Sequence, residues 1–544
     1  MMWRYTIFLA VFVSCNSDNR QANTVIPSAG ELYKLAADES LDPVNPGIPG
    51  KRPFWNTYAK RFIYSPAFDF KSIPGADQYL FKAISTSLDN PLTFYAGVPY
   101  ANLSAIWEDL PVGEIELTAL ALHGNQVLDT AGFRQFHKAS PYHGPYRKPE
   151  KDYKTSVSQL AEYLFNAPYI RYWLEKEKPD PGYGLYGYPS KMFSAVIQGM
   201  LLFEELEDKK EKQETAVRIA RIVADYLISI SQHEGNAMEF FPPTYTGPIY
   251  ADMQDEYRGE SLADRIMLIY PAVAGQAYLD LYDRTDDRKY LDAALRIAGT
   301  YRKLQLGNGS WYLLIYIDTG DPVAPNYVVP TGIISFLDRL KEDHQISGFE
   351  SCSARAVDFI VKNLEHDFNW EGQFEDQHPS ERYKNLSKGQ AVSYAGYLFN
   401  SQPEDPEKLK LAEDLVHFAE DQFVIWDNRN SIDSWGITSD NWLTPCVLEQ
   451  YNFYTPVNAS SGNMIEVFTQ AYDKTGNILY MAKAIDLANT IVDTQDPESG
   501  HYPTYLVSDL LDQEGWINCM VYTARMIYEL DRYLKENSIS RERQ

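Results

Sequence analysis

Residues 368–386, FNWEGQFEDQHPSERYKNL, place Glu371, Glu375 and Asp376 among Trp370, His378, Arg382 and Tyr383. Carboxylates set among rings and a guanidinium suit sugar cleavage. A protonated acid serves the leaving oxygen, and a second carboxylate acts from the other face of the ring. Gly372 and Pro379 interrupt any continuous helix, so the stretch reads as a loop. Glu375 and Asp376 are adjacent and cannot both form that pair. Neighbours point to opposite sides of a strand and do not share a helical face. The partner must come from elsewhere: Asp433 in SIDSWG, Asp440 before Trp442, Glu449 in LEQYNFY, or Asp255 or Glu256 in DMQDEYRGE. For each of these taken singly, a capping or solvated role is the competing explanation.

Other residue types extend the same chemistry. Arg258 and Arg265 flank GESLAD, and Arg382 sits on the opening loop; a guanidinium grips a uronate carboxylate with two parallel hydrogen bonds. Histidine is sparse, nine in all, and His378 and His501 lie on loops where either could serve as the base of a lyase. Trp311, Trp370, Trp435, Trp442, Tyr451 and Tyr454 are candidates for stacking under sugar rings. No HExxH, paired CxxC, P-loop or strand–helix GxGxxG occurs, so neither a metal nor a cofactor is expected.

Something has to position these groups. In AVRIARIVADYLISISQ, apolar residues Ala216, Ile219, Ala220, Val223, Leu227 and Ile230 form one helical face. YDRTDDRKYLDAALRIAGTYRKLQ (282–305) aligns without gaps on YDKTGNILYMAKAIDLANTIVDTQ (472–495). Thr285 and Thr475 are 190 residues apart (475 − 285). A helical hairpin with its connections takes about 60 residues at these helix lengths. The offset therefore spans three hairpins, and 149–544 holds six. Six hairpins closing on themselves make an (α/α)6 toroid; an open superhelix is the alternative, disfavoured because the units diverge. The segments after the second helix of each unit, 233–245, 307–322, 368–377, 427–442 and 497–506, mix aromatic and polar residues. In a ring they would gather at one mouth as a sugar cleft.

Ahead of the helices, 53–148 carries short runs rich in β-formers between Pro, Gly, Asn and Asp, which reads as a small fibronectin-like β-sandwich. Residues 16–52 are polar and punctuated by Pro and Gly, and read as a tether. Residues 1–15 have Arg4, a short apolar run and Cys15. The run is too short to span a bilayer and fits a lipoprotein signal with Cys15 as the acylated residue. Such a chain would be lipid-anchored to the bacterial cell envelope. Cys352, Cys446 and Cys519 give no disulfide framework. The formal charge of −26 argues against nucleic-acid partners, and against a polyanionic substrate unless local cations override it.

NWEGQFEDQHPSERYKNLSKGQAVSYAGYL, PCVLEQYNFYTPVNASSG and YMAKAIDLANTIVDTQDPESGHYPTYL resemble secreted Bacteroidetes carbohydrate-active proteins built on an (α/α)6 toroid. The likeness covers about residues 50–540 and includes SAIWEDLPVGEIELTAL. Some members are exo-acting β-glucuronidase-like glycoside hydrolases, and neighbouring toroid families are polysaccharide lyases. The resemblance implies a mainly α protein acting on a uronic-acid-containing glycan. Three functions stand: hydrolysis by two carboxylates, elimination by a Tyr or His base, or glycan binding without turnover.

Overall fold

The computed structural model describes residues 24–246, 262–374, 381–427, 439–451, 453–511 and 515–541. Cys15, Asp255, Glu256, Arg258, Glu375, Asp376, His378, Asp433 and Trp435 lie outside the described residues, as does the side chain of Tyr454.

After α1 (Ala29–Glu39), twelve helices among the described residues alternate between two rings: α2 (Tyr153–Asn166), α3 (Pro189–Leu206), α4 (Lys210–Ser229), α5 (Tyr270–Thr285), α6 (Arg288–Leu304), α7 (Thr331–Glu342), α8 (Glu350–Phe359), α9 (Lys388–Ser401), α10 (Pro406–Phe423), α11 (Asn458–Thr475), α12 (Ile478–Asp493) and α13 (Ile517–Glu536). From α3 onward the odd-numbered helices touch one another in succession, and α13 packs against both α11 and α3, so this inner ring closes. The even-numbered helices lie outside, each against an inner partner, with α2 covering the seam between α13 and α3. The arrangement is the (α/α)6 toroid.

The sequence repeat is one of its hairpins seen twice. α5–α6 and α11–α12 turn over the same device. Asp286 and Gly476 hold the left-handed conformation (φ 53° and 70°) and donate backbone N–H to the carbonyls of Tyr282 and Tyr472. Asp287 and Asn477 then cap α6 and α12. Gln305 and Gln495, also equivalent, donate to the carbonyls of Gly309 and Gly500 and so fasten the loop returning to the next inner helix. Outer helices are one-sided. On α6, Tyr290, Leu291, Ala294, Ile297, Ala298 and Tyr301 are buried at helical spacing.

The front of the chain differs from expectation in two respects. The expected β-sandwich is one sheet, ordered β2 (Arg61–Phe62), β6 (Gln126–Lys138), β5 (Gly113–His123), β3 (Gln78–Ile84), β4 (Leu92–Ala96). One face carries Tyr79, Phe81, Ala83, Ile115, Leu117 and Ala119, all buried, while Tyr95 and Phe133 are exposed on the other. A second sheet is not needed, because Trp107 and Phe68 pack onto the buried face beside Phe136, and Phe62 of β2 meets Trp55, which lies against Phe418 of α10. Asp421 of α10 binds the sheet module, accepting from the backbone N–H of Ile63 and Tyr64.

Nor do residues 24–52 run as a tether. β1 (Thr24–Ile26) pairs in parallel with Ile539–Arg541, and Leu32 and Ala36 of α1 are buried. Glu39, at the end of α1, joins Lys483 of α12 at 2.9 Å and His417 of α10 at 3.2 Å.

Candidate active site

A cavity of about 540 Å³ opens where the inner helices begin. The first turns of α3, α5, α9, α11 and α13 line it, and so do two residues of β10 (Cys446–Gln450), a strand between β9 (Val424–Ile425) and β11 (Phe453–Pro456) that follows β7 (Arg265–Met267) and β8 (Leu314–Tyr316) in the chain. Of the five aromatic-polar segments, 368–377 contributes Phe374, and 497–506 contributes Thr504 and Tyr505. Segments 233–245 and 307–322 supply no lining residue. The former buttresses α3, whose Ser190 hydroxyl donates to the Pro243 carbonyl at 2.8 Å.

Glu449 is the one predicted catalytic candidate in the lining among the described residues. It sits on β10 between buried Leu448 and Gln450 and is itself half-buried. Its carbonyl accepts from Lys388 Nζ and Ser387 Oγ, both at 3.2 Å. Gly372 allows the 368–374 loop to lie against this strand, because a Cβ there would meet Gln450 Oε1 at 2.4 Å. Gln373 fastens the same loop, accepting from Val329 N–H and donating to the Tyr327 carbonyl.

Two lysines enter the cavity wall. Lys191, on the first turn of α3, lies over Trp516, Tyr188 and Tyr270 at 4.4, 4.9 and 5.9 Å. Lys388, at the start of α9, is fully buried. Desolvation pushes its ammonium down to about 8 against the opposing pull of Glu449 and Cys519. Deeper in the lumen, Tyr522 and Glu466 are joined by a 2.5 Å hydrogen bond, and Asn463 Nδ2 donates to the Tyr522 oxygen at 2.8 Å. Burial raises the Glu466 carboxyl above the usual carboxylate range, with Tyr522 and Arg525 drawing it back. Beyond these, Arg339 pairs with Asp280 and Asp283 at 2.8 and 2.7 Å, a polar network near the opposite ends of α5 and α7.

Several sequence candidates lie elsewhere. Trp311, Trp370 and Trp442 are buried core residues and offer no face to a sugar. Trp311 donates to the Tyr301 carbonyl at 2.8 Å, and Trp370 packs on Phe368 and Tyr394. Each fills the space beneath a loop, where a large ring gains most by leaving water. Tyr451 donates to Gln422 Oε1 and rests on Phe423, outside the cavity lining. Arg382 pairs with Asp367 and covers Tyr383. His501 is hydrogen-bonded to Ser499 in a turn capped by Asp496 and packs on Tyr163 of α2. Asp440 is exposed on a short turn, and Arg265 pairs with Asp264. Replacing Trp370 with Ala is expected to cost about 3–5 kcal/mol of stability and to leave KM for any substrate unchanged, as thermal melting beside steady-state kinetics would read.

The lining residues missed from sequence include Tyr188, Lys191, Tyr270, Lys388, Trp516 and Tyr522. One signal was there to be read. Tyr-Pro recurs at 188–189 and 270–271, with Pro on the first helical turn, and marks the start of an inner helix.

No family model matches the sequence, and no curated protein does. The fold and cavity define an (α/α)6 toroid with a central pocket, and solved structures similar to it include carbohydrate-active toroid enzymes. They include cellobiose 2-epimerase from Spirochaeta thermophila DSM 6192, at 14% identity and TM-score 0.50, covering 71% of this chain and 98% of that one. A family 76 glycoside hydrolase from a bovine Bacteroides thetaiotaomicron strain is 10% identical, with TM-score 0.47 and coverage of 84% and 93%. An unsaturated glucuronyl hydrolase specific for heparin is 11% identical, with TM-score 0.43 and coverage of 71% and 97%. At such identities the likeness establishes the fold alone.

Proposed function

We propose that this chain is a carbohydrate-active enzyme, a β-glucuronidase-like glycoside hydrolase that takes a uronic-acid-containing glycan into the cavity at the head of the inner ring. The observation that carries the reading is the joint placement of Glu449, Lys191 and Lys388 in one aromatic-walled pocket. In a chain of net charge −26, two lysines gathered there supply the local cations that a uronate requires. Tyr188, Tyr270, Phe374, Tyr505 and Trp516 offer ring faces. Gln390 Oε1, Ser460 Oγ and Asn518 Oδ1 have no hydrogen-bond partner among the described residues and suit sugar hydroxyls. In this reading Glu449 acts as one catalytic carboxylate. Glu375 or Asp376 remains the proposed partner, following Phe374 in the chain; Asp433 and His378 stay as proposals of lower rank. Substrate stacking by Trp435 and Tyr454 and a uronate contact from Arg258 belong to the same proposal. So does a lipid anchor at Cys15, testable by detergent phase partition of wild type against Cys15→Ala.

The decisive measurement is turnover of aryl β-D-glucuronides and uronic-acid oligosaccharides. Release of the aglycone without ultraviolet absorbance from an unsaturated uronide supports hydrolysis. Appearance of that chromophore overturns it in favour of elimination, and saturable binding without turnover would leave a glycan-binding protein.

Lys388 adds a pH signature. Its folded-state value, about 8, lies below that of an ordinary lysine, so the cation is lost as pH rises through that range. Affinity for a uronide is expected to weaken from pH 7 to pH 9, because the neutral amine no longer attracts the carboxylate. Lys388→Met should bind more weakly at pH 7 and show little of that dependence, as titration calorimetry at the two pH values would show.

A further inference from the structure

Segment 233–245, which adds no residue to the cavity lining, builds a second feature. With the last turns of α6 it forms a surface cleft of about 390 Å³, with Glu239 and Phe240 on one wall and Arg296, Gly299, Arg302 and Lys303 on the other. The α6 residues follow at steps of three, three and one, a single stripe along the helix. Thr300 Oγ1 donates to the Glu239 carbonyl at 2.6 Å, and Phe240 N–H donates to the Gln232 carbonyl at 2.8 Å, which fixes the loop against the helix.

The charges in this cleft do not balance. The Glu239 carboxylate accepts from Lys303 and from the Gly235 N–H, both at 3.0 Å. Among the described residues no carboxylate pairs with Arg296 or Arg302. The Arg296 guanidinium lies 5.3 Å over the Phe240 ring, and Arg302 lies 5.1 Å over Phe349 while donating to the Gly348 carbonyl. Two cations are left over in a chain of net charge −26. Phe240 holds a left-handed backbone, φ 65°, which a bulky residue adopts only at a cost. Its ring props the Arg296 guanidinium at the cleft. Between the two arginines a Cβ on Gly299 would meet nothing, so the helix surface there is open. The cleft also stands at the same end of the toroid as the cavity. Phe240 is three residues from Pro243 (243 − 240), at most about 11 Å of chain, and the Pro243 carbonyl accepts from Ser190, the neighbour of Lys191 in the cavity wall.

We propose that this cleft is a second glycan-binding site, which holds a remote stretch of a polyuronate chain whose end enters the cavity; the choice of polymer rests on the uronic-acid reading above. Arg296 and Arg302 pair with uronate carboxylates, and the sugar between them lies against α6 at Gly299. Phe240 is a positioning residue for Arg296. A glycan fits better than a membrane surface because the cations line a cleft and not a flat face.

The test is native gel electrophoresis of the full chain through β-1,4-glucuronan, with hydroxyethylcellulose as the uncharged control, beside turnover of an aryl β-D-glucuronide that fills the cavity alone. Glucuronan is expected to retard the wild type, less so at high salt, and hydroxyethylcellulose is not. Arg296→Gln combined with Arg302→Gln should weaken binding to glucuronan ~10-fold. Phe240→Gly, which suits the left-handed backbone but frees the guanidinium, should weaken it by less. Both variants should keep wild-type kcat/KM on the aryl glucuronide, and thermal melting checks that they fold. Equal retardation of wild type and double variant would overturn the site, as would equal retardation in hydroxyethylcellulose or a matching loss on the aryl glucuronide. Loss of binding to phosphatidylglycerol vesicles with glucuronan retardation intact would overturn it in favour of a lipid surface. A wild type inactive on aryl glucuronides, yet retarded by glucuronan in an arginine-dependent way, would remove the hydrolase reading and leave the cleft standing.

Discussion

Glu449→Gln is expected to lower kcat on a uronic-acid glycoside by ~10²–10⁴-fold, the usual worth of a positioned acid–base carboxylate, while the fold melts at the wild-type temperature. The substitution keeps the shape of the side chain and keeps the main-chain carbonyl that Lys388 and Ser387 use. Only the charge is lost. A second effect follows from Lys388, whose ammonium is supported by the Glu449 carboxylate. Without that carboxylate desolvation goes less opposed, so Lys388 should lose its proton at lower pH than about 8. The pH at which uronide binding weakens would move downward. Retained turnover with an unmoved binding profile would dismiss Glu449 from the chemistry.

Lys483→Met is expected to destabilise the protein by about 3–5 kcal/mol, because it strips the cation from two buried carboxylates. Lys483 Nζ lies 2.9 Å from Glu39 and 2.7 Å from Glu420, and both the lysine and Glu420 are about 1% exposed. The Tyr64 hydroxyl lies 3.1 Å from Glu39 and 3.0 Å from Glu420, Trp426 donates to Glu420, and His417 approaches Glu39. Burial alone would raise the Glu39 carboxyl; Lys483 and His417 instead hold it far below the usual range. A depressed carboxylate contributes stability above its unfolded value, and that contribution fades as pH falls through the folded one. In the variant Glu39, without the Lys483 cation, takes up a proton more readily. The gap in melting temperature between wild type and variant should therefore be widest near neutrality and narrow toward pH 4. The same cluster joins α1 to α10 and α12, so proteolysis of the N-terminal segment should accelerate in the variant.

Much of the architecture was legible in order along the chain. A helical period can be read from neighbouring residues, and the 190-residue repeat carried the hairpin count. It did so because its turn chemistry is local: a left-handed residue, then a capping Asp or Asn, then a Gln that closes the return loop. The convergence of returning loops at one mouth follows from alternating inner and outer helices. Phe374, Thr504 and Tyr505 bear it out for two of the five segments.

Which side chain enters the lumen was decided by packing over long range. Trp311, Trp370 and Trp442 stand on the expected segments, yet each ring is buried where several elements meet, and composition cannot distinguish a ring under a loop from one above it. Lys191 and Trp516 are 325 residues apart (516 − 191), and they meet only because α13 closes the ring against α3. The contact between successive inner helices sets Tyr522 of α13 against Glu466 of α11. The single β-sheet in place of a sandwich has a similar cause: its buried face is covered by aromatic residues from its own connecting segments and, through Trp55, by the flank of α10. Local sequence thus determined the hairpin, its turn and its repetition, which depend on contacts within a few residues. Assembly of the ring determined the pocket and its charges, because those groups share no local sequence and become neighbours only when the inner helices and the strand that carries Glu449 come together.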